Sequence, residues 1–232
     1  MEKIKKGLLK KTLIIFCLFI FVPTVGCSGV KKTYYESGAL KGELTFKKDK
    51  SESVLKIYYE SGAVHAESTY KNGKMEGPYR EYYESGALKG EVNTKKGKME
   101  GPSKKYYESG AIKEEAIYRK GKIDGPYKGY YESGELKEEF TNKNGKSEGP
   151  GKEYYESGEL KVEVTYKNGK REGLYKEYYK SSALKAEITF KKDKAEGPYR
   201  EYYESGKLKK IGTFENGKLI IWWRNTTNRA NW

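Results

Sequence analysis

Histidine is nearly missing from this 232-residue chain, and cysteine and proline are scarce. His65 is the single histidine, and Cys17 and Cys27 are the only cysteines. A metal centre of several His or Cys ligands is therefore excluded. A Ser-His-acid triad would have to use His65, which falls in a polar column where other copies of the pattern place lysine (Lys89). No segment between turn signals reaches helical length, which excludes a helical fold. Outside the N-terminus there is no long apolar run, and all three tryptophans (Trp222, Trp223, Trp232) lie in the tail. The serines and glutamates are equally repetitive, so they read as turn residues and cross-strand ion pairs, not as catalytic groups. No cofactor is implied, and the chain reads as a non-enzyme.

The N-terminus carries an address. Lys3, Lys5, Lys6, Lys10 and Lys11 precede an apolar run of ten residues, Leu13 to Val22. That run is short for a bilayer-spanning helix, which needs about 20 residues. A basic head, a short apolar stretch and a small-residue exit form a secretory signal over 1–26. The exit, Thr24-Val25-Gly26-Cys27, resembles a bacterial lipobox, although Thr24 stands where that motif usually has Leu. The resemblance implies lipid attachment at Cys27 and a lipoprotein held on the cell envelope, at the outer membrane or cell surface. Removing the signal would take away Cys17 and leave no possible internal disulfide. It would also lower the net charge from +14 to +10, since residues 1–26 hold five Lys and one Glu. Export argues against nucleic acid as partner, and Lys interleaved with Glu argues for a solvated surface.

What the chain has in abundance is order. A Tyr-Tyr pair recurs every 24 residues, eight times, beginning at Tyr34, Tyr58, Tyr82, Tyr106, Tyr130, Tyr154, Tyr178 and Tyr202. A fixed period of this length marks stacked copies of one supersecondary unit. Each copy has two turn signals. One is Glu-Ser-Gly, as at 84–86. The other is Asn-Gly, as at Asn72-Gly73, Asn144-Gly145, Asn168-Gly169 and Asn216-Gly217, a dipeptide suited to a type I′ hairpin turn. Between them lie strand-length segments with alternating character, such as Leu160, Val162, Val164 and Tyr166 against Lys161, Glu163 and Thr165. These features predict an all-β, single-layer antiparallel sheet of tandem hairpins. The chain then divides into a signal (1–26), a short linker (27–32), eight repeats (33–218) and a closing tail (219–232).

A two-residue Asn72-Gly73 loop would pair Tyr70 with Met75, Ser68 with Gly77, Ala66 with Tyr79 and Val64 with Glu81. Tyr79 and Tyr83 would then share the apolar face, while Tyr82 would lie opposite among Arg80 and Lys89, facing solvent. For the faces to agree, the Glu-Ser-Gly loop must hold an even number of residues, here Glu84 to Ala87. Gly-Pro before most first strands (Gly77-Pro78, Gly101-Pro102) predicts a bend or bulge in each copy. Two copies depart from the pattern. The first has Asp49 and Ser53-Val54, and the seventh has Lys180-Ser181-Ser182 and Asp193. A non-Gly residue at positive φ should loosen both.

The Tyr-Tyr-Glu-Ser-Gly-x-Leu-Lys core, followed by Tyr-Lys-Asn-Gly-Lys-x-Glu-Gly as at 166–173, resembles the bacterial variant of MORN repeats over roughly residues 33–218. The resemblance implies an elongated sheet of hairpins with a scaffolding or binding role. Eukaryotic members are associated with membrane lipids and dimeric scaffolds, and some bacterial relatives carry an antitoxin label. The expected role is thus an exported interaction scaffold for a protein partner or envelope polymer. An antitoxin or immunity factor and a carbohydrate-binding surface module are the alternatives. An exposed tyrosine ladder (Tyr58, Tyr82, Tyr106, Tyr130, Tyr154, Tyr178, Tyr202) is the candidate binding surface. The Leu/Val/Tyr face, with no second layer to cover it, could pair two copies into a homodimer.

Overall fold

The computed structural model describes residues 29–47 and 51–224. The expected signal, Cys27, Asp49 and the last eight residues lie outside them. The described residues form one open antiparallel sheet of 18 strands, β1 (Val30–Tyr34) to β18 (Lys218–Arg224), with no helix. Each strand pairs with its sequence neighbours, so the sheet is a simple meander. In the seventh copy the first strand is broken at Glu172 into β13 (Lys170–Arg171) and β14 (Gly173–Tyr178), both on β12 (Leu160–Lys167). The tail contributes β18, which pairs with β17 (Leu208–Glu215) and ends the ladder.

Two irregularities set the register in most repeats; the pairing from Gly42–Ile57 to Phe46–Ser53, where Ser53-Val54 replaces Gly-Pro, runs unshifted. β4 (Val64–Lys71) meets β5 (Lys74–Tyr82) as Tyr70↔Met75, but then as Ser68↔Tyr79 and Ala66↔Glu81. The expected pairs Ser68–Gly77, Ala66–Tyr79 and Val64–Glu81 are therefore wrong by two residues. The Gly-Pro bulge is the cause: Gly77 has φ 106°, and two extra residues are accommodated there. Because the slip is even, the side chains on either side of it keep their expected faces.

At the other end the loop has three residues, not four. Tyr83 N–H donates to the Ala87 carbonyl (2.8 Å) and Gly86 N–H to the Tyr83 carbonyl (2.9 Å). Gly86, at φ 88°, supplies the left-handed residue that closes such a loop. An odd loop alone would exchange the faces. Lys89 is bulged between the pairs Tyr82↔Leu88 and Glu81↔Gly90, and this one extra residue restores them. In the seventh copy Ser182 (φ 64°) takes the glycine's place and keeps both loop bonds.

One face carries the nearest thing to a core. Its central row mixes small and large side chains: Ser68, Tyr79, Val92, Ser103, Ala116, Tyr127, Phe140, Gly151 and Val164 are successive partners. Tyr79 lies across from Ser68 and Phe140 from Gly151, while Tyr127 and Phe140 are paired rings. A Cβ on Gly151 would stand 2.9 Å from the Tyr166 ring, and Tyr127 stacks on Phe140 at 4.6 Å. Burial pushes the Tyr79 hydroxyl up to about 12. Ala66, Val92, Val162, Val164 and Ala186 are buried by this packing, although no second layer exists among the described residues. The face is less apolar than expected, because the adjoining row carries ion pairs such as Lys105–Glu114 (2.7 Å) and Lys89–Glu81 (2.7 Å).

Candidate functional site

The opposite face is a charge ladder flanked by tyrosines. Directly paired residues across successive strands run Lys56, Glu67, Arg80, Glu91, Lys104, Glu115, Lys128, Glu139, Lys152, Glu163, Lys176, Glu187 and Arg200. The bonded members include Lys56–Glu67 (3.0 Å) and Lys104–Glu115 (3.2 Å). Each such exposed pair contributes only about 0.2–1 kcal/mol. Strict alternation puts no like charges opposite one another, so this row fixes partner and register as well as stability. The row ends at Ile211.

The candidate tyrosines stand beside this row. Tyr82, Tyr106, Tyr130, Tyr154, Tyr178 and Tyr202 donate their hydroxyls to Glu67, Glu91, Glu115, Glu139, Glu163 and Glu187, each 15 residues earlier, at 2.8–3.5 Å. Burial first and the hydrogen bond to Glu115 second push the Tyr130 hydroxyl up to about 12. Hydrogen bonds from Tyr130 and Lys104 outweigh burial and hold Glu115 below the usual carboxylate range. The expectation of a freely exposed ladder is thus corrected: all seven rings, Tyr58 included, are half-buried. Nor does Lys89 accompany Tyr82. The bulge sends its ammonium to Glu81 and over the Tyr83 ring, 5.6 Å from the centroid.

The second tyrosine of each pair joins one repeat to the next. Tyr59, Tyr83, Tyr107, Tyr131, Tyr155 and Tyr179 donate to the backbone carbonyls of Tyr82, Tyr106, Tyr130, Tyr154, Tyr178 and Tyr202 at 2.8–2.9 Å. Lysines six residues on, such as Lys113 at 4.9 Å, lie over these rings. His65 takes this lysine place: its ring meets Tyr59 at 4.4 Å and Nε2 is 3.8 Å from the Glu81 carboxylate. It is half-buried.

Sequence reasoning missed a third tie, at the Asn-Gly margin. Lys96 N–H donates to the Glu76 carboxylate (2.7 Å), and Gly97 N–H to the Met75 carbonyl (2.8 Å). Glu100, Glu148 and Glu172 cap the turns of the following hairpins in the same way. The acid that recurs just before each bulge glycine was the available signal. Among the described residues, no group of three His, Cys, Asp or Glu is placed to hold a metal.

The unit closed by these three ties is a recognised one. The MORN repeat variant pattern matches residues 28–48, 52–72, 75–96, 99–120, 123–144, 147–168, 171–192 and 195–216. The chain belongs to the MORN repeat variant family. Its matched units coincide with the structural hairpins; 75–96, for example, covers nearly all of β5 and β6 (Leu88–Lys95). No curated protein matches this MORN repeat chain. Among solved structures, the crystal structure of TcdB2-TccC3-TEV is similar over 85% of this chain, at 11% identity and a TM-score of 0.23. The MORN repeat chain spans 14% of that protein's length. A porin-like protein from Bacteroides uniformis ATCC 8492 is similar over 86% of this chain and 96% of its own, at 11% identity and a TM-score of 0.20.

Proposed function

We propose that this MORN repeat chain is an exported, non-enzymatic interaction scaffold. It is anchored to the cell envelope through a lipid on Cys27, and its tyrosine-and-charge face receives a protein partner. The observation that carries the reading is repetition. Apart from His65, the chemically active side chains recur at fixed places in copy after copy, and many of them hold copies together. That suits a long, stiff display surface better than a single reaction centre. With the tyrosine hydroxyls bonded to glutamates, the partner would meet ring faces and the Lys/Glu row, a combination suited to an amphipathic, extended segment.

Metabolic labelling with a fatty acid, on the wild-type chain and on Cys27→Ser, tests the anchor. The wild type should carry label in the membrane fraction and Cys27→Ser should carry none; an unlabelled wild type would end the anchoring claim. Capture from envelope extracts tests the face. A partner held by the wild type should be lost from the combined Tyr106→Ser, Tyr130→Ser and Tyr154→Ser variant. Equal capture by both would move the site off the tyrosine face.

A further inference from the structure

The two long margins of the sheet carry opposite charge. The Glu-Ser-Gly turns present exposed Glu84, Glu108, Glu132 and Glu156. The Asn-Gly turns present cations in clusters. Lys95, Lys96 and Lys98 are exposed at one tip, and Arg119, Lys120 and Lys122 at the next. Lys191, Lys192 and Lys194 repeat the cluster in the seventh copy. The one carboxylate that recurs at each of these tips is turned into the backbone, where it caps the neighbouring turn, as Glu76 does for Lys96.

A second observation concerns backbone strain. The first turn residue has φ near 50° whether it is Asn or Lys: 49° at Asn72, 53° at Asn144 and 54° at Asn168, against 51° at Lys96, 52° at Lys120 and 51° at Lys192. Asn visits this region readily and Lys does not. At three tips the chain therefore gives up local conformational preference and gains only a cation. Strain retained without a structural return points to use.

We propose that the Asn-Gly margin is a rail that binds a linear acidic polysaccharide. Successive tips are two strand spacings apart, about 10 Å. A glycan of alternating uronate and amino sugar carries one carboxylate per disaccharide, at a comparable pitch and nearly in line. Phosphates of duplex nucleic acid fall every 3.4 Å or so along a strand and wind away from a straight edge. The cations are mostly lysines, point charges without the planar fork that reads phosphate or base edges. Pairing of this margin with the acidic margin of a second copy is opposed by the net charge of +10 that remains once residues 1–26, with five Lys and one Glu, are removed from the total of +14. The rail uses residues separate from the tyrosine face, so either reading can fail alone.

Titration of the full-length chain into fluorescein-labelled hyaluronate, followed by anisotropy at low salt, tests the rail. The comparison is the triple variant Lys96→Asn, Lys120→Asn and Lys192→Asn. Asn already occupies this place at other tips, so the variant should unfold at the same or higher denaturant concentration. Its affinity for hyaluronate should fall about tenfold, from the loss of three exposed charge contacts, with a shallower salt dependence. Unchanged affinity would overturn the proposal. So would a single-stranded DNA of equal length bound as tightly as hyaluronate, which would assign the margin to nucleic acid. A low-salt dimer that the triple variant abolishes would assign it to a second copy, and would overturn the proposal as well.

Discussion

Replacing Tyr107 by Phe isolates one tie between repeats. The hydroxyl donates to the Tyr130 carbonyl at 2.8 Å, and the ring lies beneath Lys113. Phe removes the hydrogen bond and leaves the ring contact. The net value of such a bond is about 1 kcal/mol. The larger penalty for an orphaned buried acceptor should not apply, because Tyr130 is only half-buried and water can reach the freed carbonyl. In a linear array this loss falls on the coupling between the fourth and fifth copies. Urea unfolding followed by far-ultraviolet circular dichroism should show a lower midpoint with an unchanged slope. Hydrogen exchange should rise first in the hairpins flanking the lost bond. Tyr106→Phe is the control, since its hydroxyl reaches Glu91 at 3.2 Å on the charged face; it should cost less than about 0.5 kcal/mol. Tyr83→Phe, Tyr131→Phe and Tyr179→Phe together should cost about 3 kcal/mol, because the three bonds share no partner. A silent Tyr107→Phe beside a costly Tyr106→Phe would refute the assignment of roles.

Ser182→Gly should raise the unfolding midpoint by the equivalent of about 1 kcal/mol, because Ser182 sits at φ 64° where other copies use Gly. Asp193→Gly should bring no such gain, since Asp193 offsets its own φ of 71° by accepting bonds from Arg171 N–H and Nε. Burial disfavours the Glu201 carboxylate, but hydrogen bonds from Lys209, Lys210 and Tyr199 outweigh it and hold Glu201 at about 2. Its stabilisation is therefore full above the ordinary glutamate range and is lost as pH falls from there towards 2; Glu201→Gln should flatten an acid-unfolding curve in that window. Tyr130, Tyr154 and Tyr178 are pushed up to about 12, chiefly by burial and then by their bonds to glutamate. The folded state thus favours the neutral phenols, and that stability is lost as pH rises from about 10 through 12. Tyrosinate absorbance near 295 nm should appear together with loss of the strand signal, and titration well below pH 11 in the intact sheet would contradict the buried hydroxyls.

The hairpins were legible because their signals are local. Asn-Gly fixes a turn through the φ angles it tolerates, and period-two alternation fixes which residues share a face. The register was legible only to an even shift. Asn72-Gly73 says where a hairpin starts, but the two residues absorbed at Gly77 leave no mark beyond a Gly-Pro that permits a bulge. The Lys89 bulge was invisible for the same reason: it exists because an odd loop must be reconciled with a face already chosen by Gly90 and Val92, and it leaves Leu88 opposite Tyr82. The tyrosine ladder was placed on the right face but given too much exposure. Its partners lie 15 residues away, and only strand pairing brings Tyr130 to Glu115.

By itself the sequence determined the unit, its number, its direction and the two faces, since turn chemistry and side-chain period act within a few residues. The pairing of strands decided the rest: which tyrosine joins two copies, which glutamate caps a turn, and which lysines gather along a margin. Those relations join residues from different copies, and a side chain acquires such a neighbour only when the ladder brings distant backbone segments within one strand spacing.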